Sequence, residues 1–155
     1  MLFKYLSGIA LGLSLAIPAQ AQDRPVALSS SVMLVAPANA ATGQPEKLVD
    51  ATSVVPQDLL VFTVNYRNTS NQAVTDLLIV NPVPSSVRVA DQSASATEVS
   101  VDGGAKWGQL AQLTVAKDDG TRVPATADDI SHMRWVVARI EPGEAGSVSF
   151  RAAVR

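Results

Sequence analysis

The stretch DLLVFTVNYR, residues 58–67, decides how this chain is read. Leu60, Phe62, Val64 and Tyr66 alternate with Val61, Thr63, Asn65 and Arg67. A period of two puts each set on its own face of an extended backbone, so the stretch is a half-buried strand with the first set turned to a core. Pro56 precedes it, and Asn68-Thr69-Ser70-Asn71 follows as turn material.

Beyond that turn, residues 75–81 (TDLLIVN) form the next strand, with Leu77 and Ile79 as the core face. Leu78 and Val80 make its other face apolar too, so that face is expected to be covered. Pro82-Val83-Pro84 ends it, because proline has no N–H for a ladder. Shorter strands follow at residues 87–89, 98–101, 113–116 and 122–123, with another starting at Lys106-Trp107. Asp102-Gly103-Gly104, within SVDGGAKWG at residues 100–108, reads as a hairpin turn, and so does Asp118-Asp119-Gly120. Both offer residues that accept positive φ. Thr126 is suited to cap one helical turn.

Residues 132–140 form a strand with Met133, Trp135 and Val137 inward. Strict alternation would bring Arg139 inward next, whereas Ile140 suits a core better, so a bulge is expected at Ala138-Arg139. Glu141-Pro142-Gly143-Glu144 fits a type II turn, and residues 146–154 close the chain with Val148, Phe150 and Ala152 inward. Upstream, residues 31–35 and 47–54 are strands joined by a loop at 37–45. Seven to nine short strands, frequent turns and almost no helix predict an all-β antiparallel β-sandwich. Phe62, Tyr66 and Trp135 are the expected anchors of its core.

The first residues, MLFKYLSGIALGLSLAIPAQAQ, carry one cation, an apolar run and a small-x-small site ending at Ala21. That is the layout of a secretory signal peptide over residues 1–21, and the run is too short for a membrane span. Residues 22–45 are then an N-terminal strand and linker, and 46–155 the sandwich domain. The chain of 155 residues has 12 basic and 14 acidic side chains, a net charge of −2. Such a balance carries no footprint for nucleic acid. There is no cysteine, so neither a disulfide nor a lipoprotein anchor is available. The ending AAVR has no hydrophobic tail, and the chain is expected to be soluble in the periplasm or released.

Candidate chemistry is sparse. His132 is the single histidine; alternation puts it on the solvent face, with no Gly-x-Ser-x-Gly elbow to partner it and no further ligands at metal spacing. Asp102, Asp118, Asp119, Asp128 and Asp129 form no calcium loop. Gly103-Gly104 is not followed by a helix start that would cradle a phosphate. The reading is therefore no catalytic residue, no cofactor-binding residue, no metal and no cofactor. Trp107, beside a turn, is either a lid on an open end of the sandwich or a sugar-stacking platform.

Val55-Pro56-Gln57-Asp58, Phe62-Thr63-Val64, Tyr66-Arg67-Asn68-Thr69 and residues 74–84 (VTDLLIVNPVP) together resemble the DUF11 domain, as do Trp135, Ile140-Glu141-Pro142-Gly143 and residues 147–150. Gln57 stands where that pattern has glycine, Asn81 where it has aspartate, and Ser86 where glycine often follows the prolines. The resemblance spans residues 47–155 and implies an immunoglobulin-like module of bacterial envelope or secreted proteins, without catalytic residues. The final strand has neither Asn nor Asp, which speaks against an isopeptide cross-link there. The expected function is a non-enzymatic exported module acting by structural, adhesive or assembly interactions. Its partners are expected to be other envelope or secreted proteins, met by edge-strand pairing at the C-terminal strand. The alternative is a small carbohydrate- or ligand-binding protein using Trp107 and the adjacent hairpin loops.

Overall fold

A computed structural model describes residues 25–155 except 39, 40 and 42; the expected signal peptide lies outside the described residues. Its strands are β1 (Val26–Ala36), β2 (Lys47–Asp50), β3 (Leu59–Asn68), β4 (Val74–Pro82), β5 (Val87–Val89), β6 (Glu98–Ser100), β7 (Thr114–Ala116), β8 (Arg122–Pro124), β9 (His132–Ile140) and β10 (Ala145–Val154). One short helix, α1 (Asp91–Ser95), links β5 to β6. All pairings are antiparallel. A five-stranded sheet, β2-β1-β3-β10-β5, faces a three-stranded sheet, β4-β9-β6, and β7-β8 is a separate hairpin. This is the antiparallel sandwich that the alternation predicts, with ten strands where seven to nine were expected.

One topological expectation is overturned. The C-terminal strand is no edge: β10 lies between β3 and β5, in register from Ala145↔Arg67 to Ala153↔Leu59 on one side. A constant-type immunoglobulin order sets the last strand at a sheet edge, beside the sixth. Here the longest apolar strand, β3, takes it instead. Phe150 then stacks on its register partner Phe62, with ring centroids 4.8 Å apart. Phe150 also meets Trp135 of the opposite sheet at 6.2 Å.

The core is more aliphatic than expected. Met133, Ile140, Val89 and Val99 are fully enclosed, with Phe150 and Ile79 close behind, whereas Phe62, Tyr66 and Trp135 are each half-buried. Three strands cannot cover five, so the inner face of β1 runs past the opposing sheet and leaves Leu28 and Val32 exposed. Tyr66 lies in that overhang across Gly146, its register partner on β10.

The predicted turns form, with two refinements. Val55-Pro56-Gln57-Asp58 is closed by the Asp58 N–H donating to the Val55 carbonyl at 3.1 Å, and Gln57 takes φ 75°, left-handed in spite of its side chain. Gly143 at φ 77° and the Glu144-to-Glu141 hydrogen bond close the last turn, and Thr126 and Asp129 cap their single turn reciprocally. The expected bulge at Ala138-Arg139 is replaced by another device. The β4–β9 register keeps one offset from Val74↔Ile140 to Pro82↔His132, so no residue is inserted. Pairing skips the Asp76–Ala138 position instead, where Asp76 has φ 53°. The left-handed residue re-aims both strands at once, and the inward set passes from Leu77 to Val74 and from Val137 to Ile140.

Candidate functional site

The three-stranded sheet has one face on the core and the other on solvent. Alternation sends His132, Arg134 and Val136 of β9 outward, and the register places Leu78 of β4 opposite Val136 and Val80 opposite Arg134. Glu98 and Ser100 of β6 complete the rows on the far side of β9. Nothing among the described residues covers the β4 half of this face: Leu78, Val80 and Val136 are 51, 45 and 60 % exposed. The sequence expectation of a covered second face is therefore corrected, because the covering loop reaches only the β6 half.

That loop is SVDGGAKWG. Val99 and Gly108 exchange two main-chain hydrogen bonds, at 2.9 and 3.1 Å, so the chain does return as a hairpin. Its turn is wider than a two-residue connection and is organised by side chains. Ser100, completely enclosed, donates from Oγ to Asp102 Oδ1 at 2.8 Å and accepts from the Gly104 N–H at 2.9 Å. Asp102 Oδ1 also accepts from the Lys106 N–H at 2.9 Å. The Lys106 amide first, and then the Ser100 hydroxyl, hold the Asp102 carboxyl below its ordinary range. Gly103 and Gly104, at φ 76° and 93°, supply the left-handed backbone this closure demands.

The loop lays Trp107 against the sheet. The indole N–H donates to the Gly104 carbonyl at 2.8 Å, the Arg134 guanidinium sits 4.7 Å from the ring centroid, and His132 meets the ring edge-on at 6.3 Å. Arg134 is in turn paired with Glu98 at 2.8 Å. Trp107 is thus a half-buried cover on the outer face, where the sequence offered a lid on the open end or a sugar platform. Its polar edge and one side are committed within the chain.

His132 lies on the outer face as alternation predicts, and its Nδ1 is 3.1 Å from Ser131 Oγ. Ser131 Oγ donates to the Ser100 carbonyl and accepts from the Gly103 N–H, both at 3.0 Å. The Ser131 hydroxyl is thereby engaged with three partners within the chain. The five aspartates are dispersed. Asp119 accepts from the Thr121 hydroxyl and amide, Asp129 caps Thr126, and Asp128 pairs with Arg88 at 3.2 Å and Arg155 at 3.0 Å. Among the described residues, no group of three or more His, Cys, Asp or Glu converges as metal ligands, and no helix is long and apolar enough to cross a membrane.

One residue read as turn material proves structural. Asn68 is fully buried at the end of β3, and its amide donates to the Gln72 carbonyl at 2.7 Å and the Ile140 carbonyl at 3.1 Å. Its carboxamide oxygen accepts from the Ser70 N–H and hydroxyl. The cue in sequence was an asparagine at an inward position of its strand, in phase with Tyr66 and Val64.

Comparison of the chain with protein-family models, with curated proteins and with solved structures gave no match.

Proposed function

We propose that this protein is an exported, non-enzymatic module that acts through its surface in structural, adhesive or assembly interactions. The observation that carries this reading is the outer face of β4 and β9, where Leu78, Val80 and Val136 form an exposed apolar strip beside a sheet edge. Contiguous apolar surface rimmed by polar groups marks an interaction site more often than a solvent face. The leader pattern at residues 1–21 supports export, and the resemblance to the DUF11 domain supports a place among envelope and secreted proteins. Strand pairing remains the mode of contact, but it moves from β10, which is enclosed on both sides, to β4.

Cell fractionation with N-terminal sequencing tests the reading. The expected product begins at Gln22 and is found in the periplasm or medium together with the proteins it co-purifies with. An uncleaved chain in the cytoplasm would contradict it.

A further inference from the structure

Most edges of this sandwich are short: β2, β5 and β6 span four, three and three residues. Short edges are one way in which sheets avoid pairing with other chains. Two longer edges stay open among the described residues: β4, at nine residues, and residues 26–32 of β1, which pair β3 on one side and lie beyond the reach of β2. Of the two, β4 is the one interrupted symmetrically about its centre.

Three observations fix which of its backbone groups face outward. Val99 uses its own N–H and C=O on Gly108, so its pairing with Met133 is the non-hydrogen-bonded kind, and Met133 directs its groups toward β4. The Val83 N–H donates to the Ser131 carbonyl at 2.8 Å, in the same parity. Pro82, which has no N–H to offer, then falls on the outward set, where proline costs the ladder nothing. Leu77, Ile79 and Asn81 therefore bond β9, while Leu78 and Val80 present N–H and C=O to the free edge. These two residues also carry the exposed apolar side chains.

We infer that β4 pairs antiparallel with β4 of a second copy of this chain, about a two-fold axis through Ile79. This deepens the assembly reading above and rests on it. In that register Leu78 of each copy exchanges main-chain hydrogen bonds with Val80 of the other. Two interruptions of the edge favour a second copy over an unrelated strand. Asp76, left-handed at φ 53°, and Pro82 stand equally far from Ile79 on opposite sides. The axis sets each opposite the other, so the position that breaks the ladder in one copy meets the residue that cannot donate in the other. On the outer face the apolar row runs Val136, Leu78, then Val80 of the second copy, and ends at its Arg134, already neutralised by Glu98. With only Leu78 and Val80 of each copy exchanging main-chain bonds, association is expected to be weak and concentration-dependent.

The chain has no cysteine, so engineered thiols are unambiguous. Leu78→Cys and Val80→Cys are made separately in the whole chain; both sites are exposed, so folding is preserved. In a hydrogen-bonded pair the Cα atoms lie about 5.5 Å apart, within disulfide range, whereas like positions across the axis are diagonal neighbours at about 7–8 Å. The expected result is that the oxidised mixture gives the mixed 78–80 dimer in about tenfold excess over either variant alone, a preference of the size a single good contact confers. Val136→Cys, one strand in from the edge, is expected to stay uncross-linked. Equal cross-linking of all three, or a sedimentation profile that is monomeric up to about 1 mM, would overturn the self-pairing. A monomer that still co-purifies with envelope partners overturns the self-pairing alone. One that also shows neither cleavage nor export overturns the assembly reading beneath it.

Discussion

The side-chain amide of Asn68 donates to the main-chain carbonyl of Ile140 at 3.1 Å, joining the end of β3 in one sheet to the end of β9 in the other. Both residues are fully buried. A buried amide that satisfies a carbonyl across the layers contributes about 1 kcal/mol, and its removal takes that donor from the buried Ile140 carbonyl at a further cost of about 1–3 kcal/mol, whereas the Gln72 carbonyl keeps the Ser70 hydroxyl. Asn68→Ala is accordingly expected to lower stability by about 2–4 kcal/mol. Asn68→Asp, which cannot donate, is expected to lose at least as much. Urea unfolding with an unchanged m-value checks the expectation.

Gln57 occupies a left-handed conformation at φ 75°. That region costs a side chain with a Cβ about 1–2 kcal/mol, against an entropic cost to glycine of about 0.5–1. Gln57→Gly is expected to raise stability by about 0.5–1 kcal/mol. A rise in thermal midpoint measures it; a fall would show that the Gln57 side chain contributes a contact of its own.

Gly146 is required by Tyr66 and not by backbone freedom. A Cβ built there would come within 2.5 Å of Tyr66 Cζ and collide with its hydroxyl. Gly146→Ala must push the ring off β10, an overpacking cost of about 1–3 kcal/mol. With Tyr66→Ala in the background the same substitution is expected to be nearly neutral. A double-mutant cycle reports that difference as coupling between the two sites.

The Asp102 carboxyl is held below its ordinary range by the Lys106 amide and the Ser100 hydroxyl. A depressed carboxyl contributes stability that is present above its unfolded value, about 3.9, and is lost as pH falls through the lower folded value. Asp102→Ala is therefore expected to be less stable than the parent at pH 7, with the gap closing only below about pH 3.9. Thermal midpoints of both chains across that window test the sign. A gap that is constant with pH would assign the loss to packing.

Much of the fold was legible because strand phase depends on local chemistry. Alternation in residues 58–67 placed Leu60 and Val64 inward, and Asp-Gly and Pro-Gly placed the turns at 118–120 and 142–143, where Gly120 and Gly143 do take positive φ. Sheet order was not legible, since nothing local tells β10 to insert between β3 and β5 instead of ending a sheet. The covered outer face expected of β4 failed for the same reason: covering is decided by where a distant loop lands, and the loop that carries Trp107 lands on β6. Ile140 was read correctly as inward, but the cause lay in Asp76 of the neighbouring strand, which no inspection of residues 132–140 alone could reveal. The outer-face strip was visible as Leu78 and Val80, and became a surface only once Val136 was paired beside them.

Amide hydrogen exchange at Leu77, Leu78, Ile79 and Val80, followed as a function of protein concentration, reads the β4 edge residue by residue. Leu77 and Ile79, bonded to β9, are expected to be protected at every dilution. Leu78 and Val80 are expected to exchange freely in dilute solution and to gain protection together as the protein is concentrated. Leu78 and Val80 amides that exchange freely at all concentrations, or that are already protected in the dilute monomer, would contradict the account.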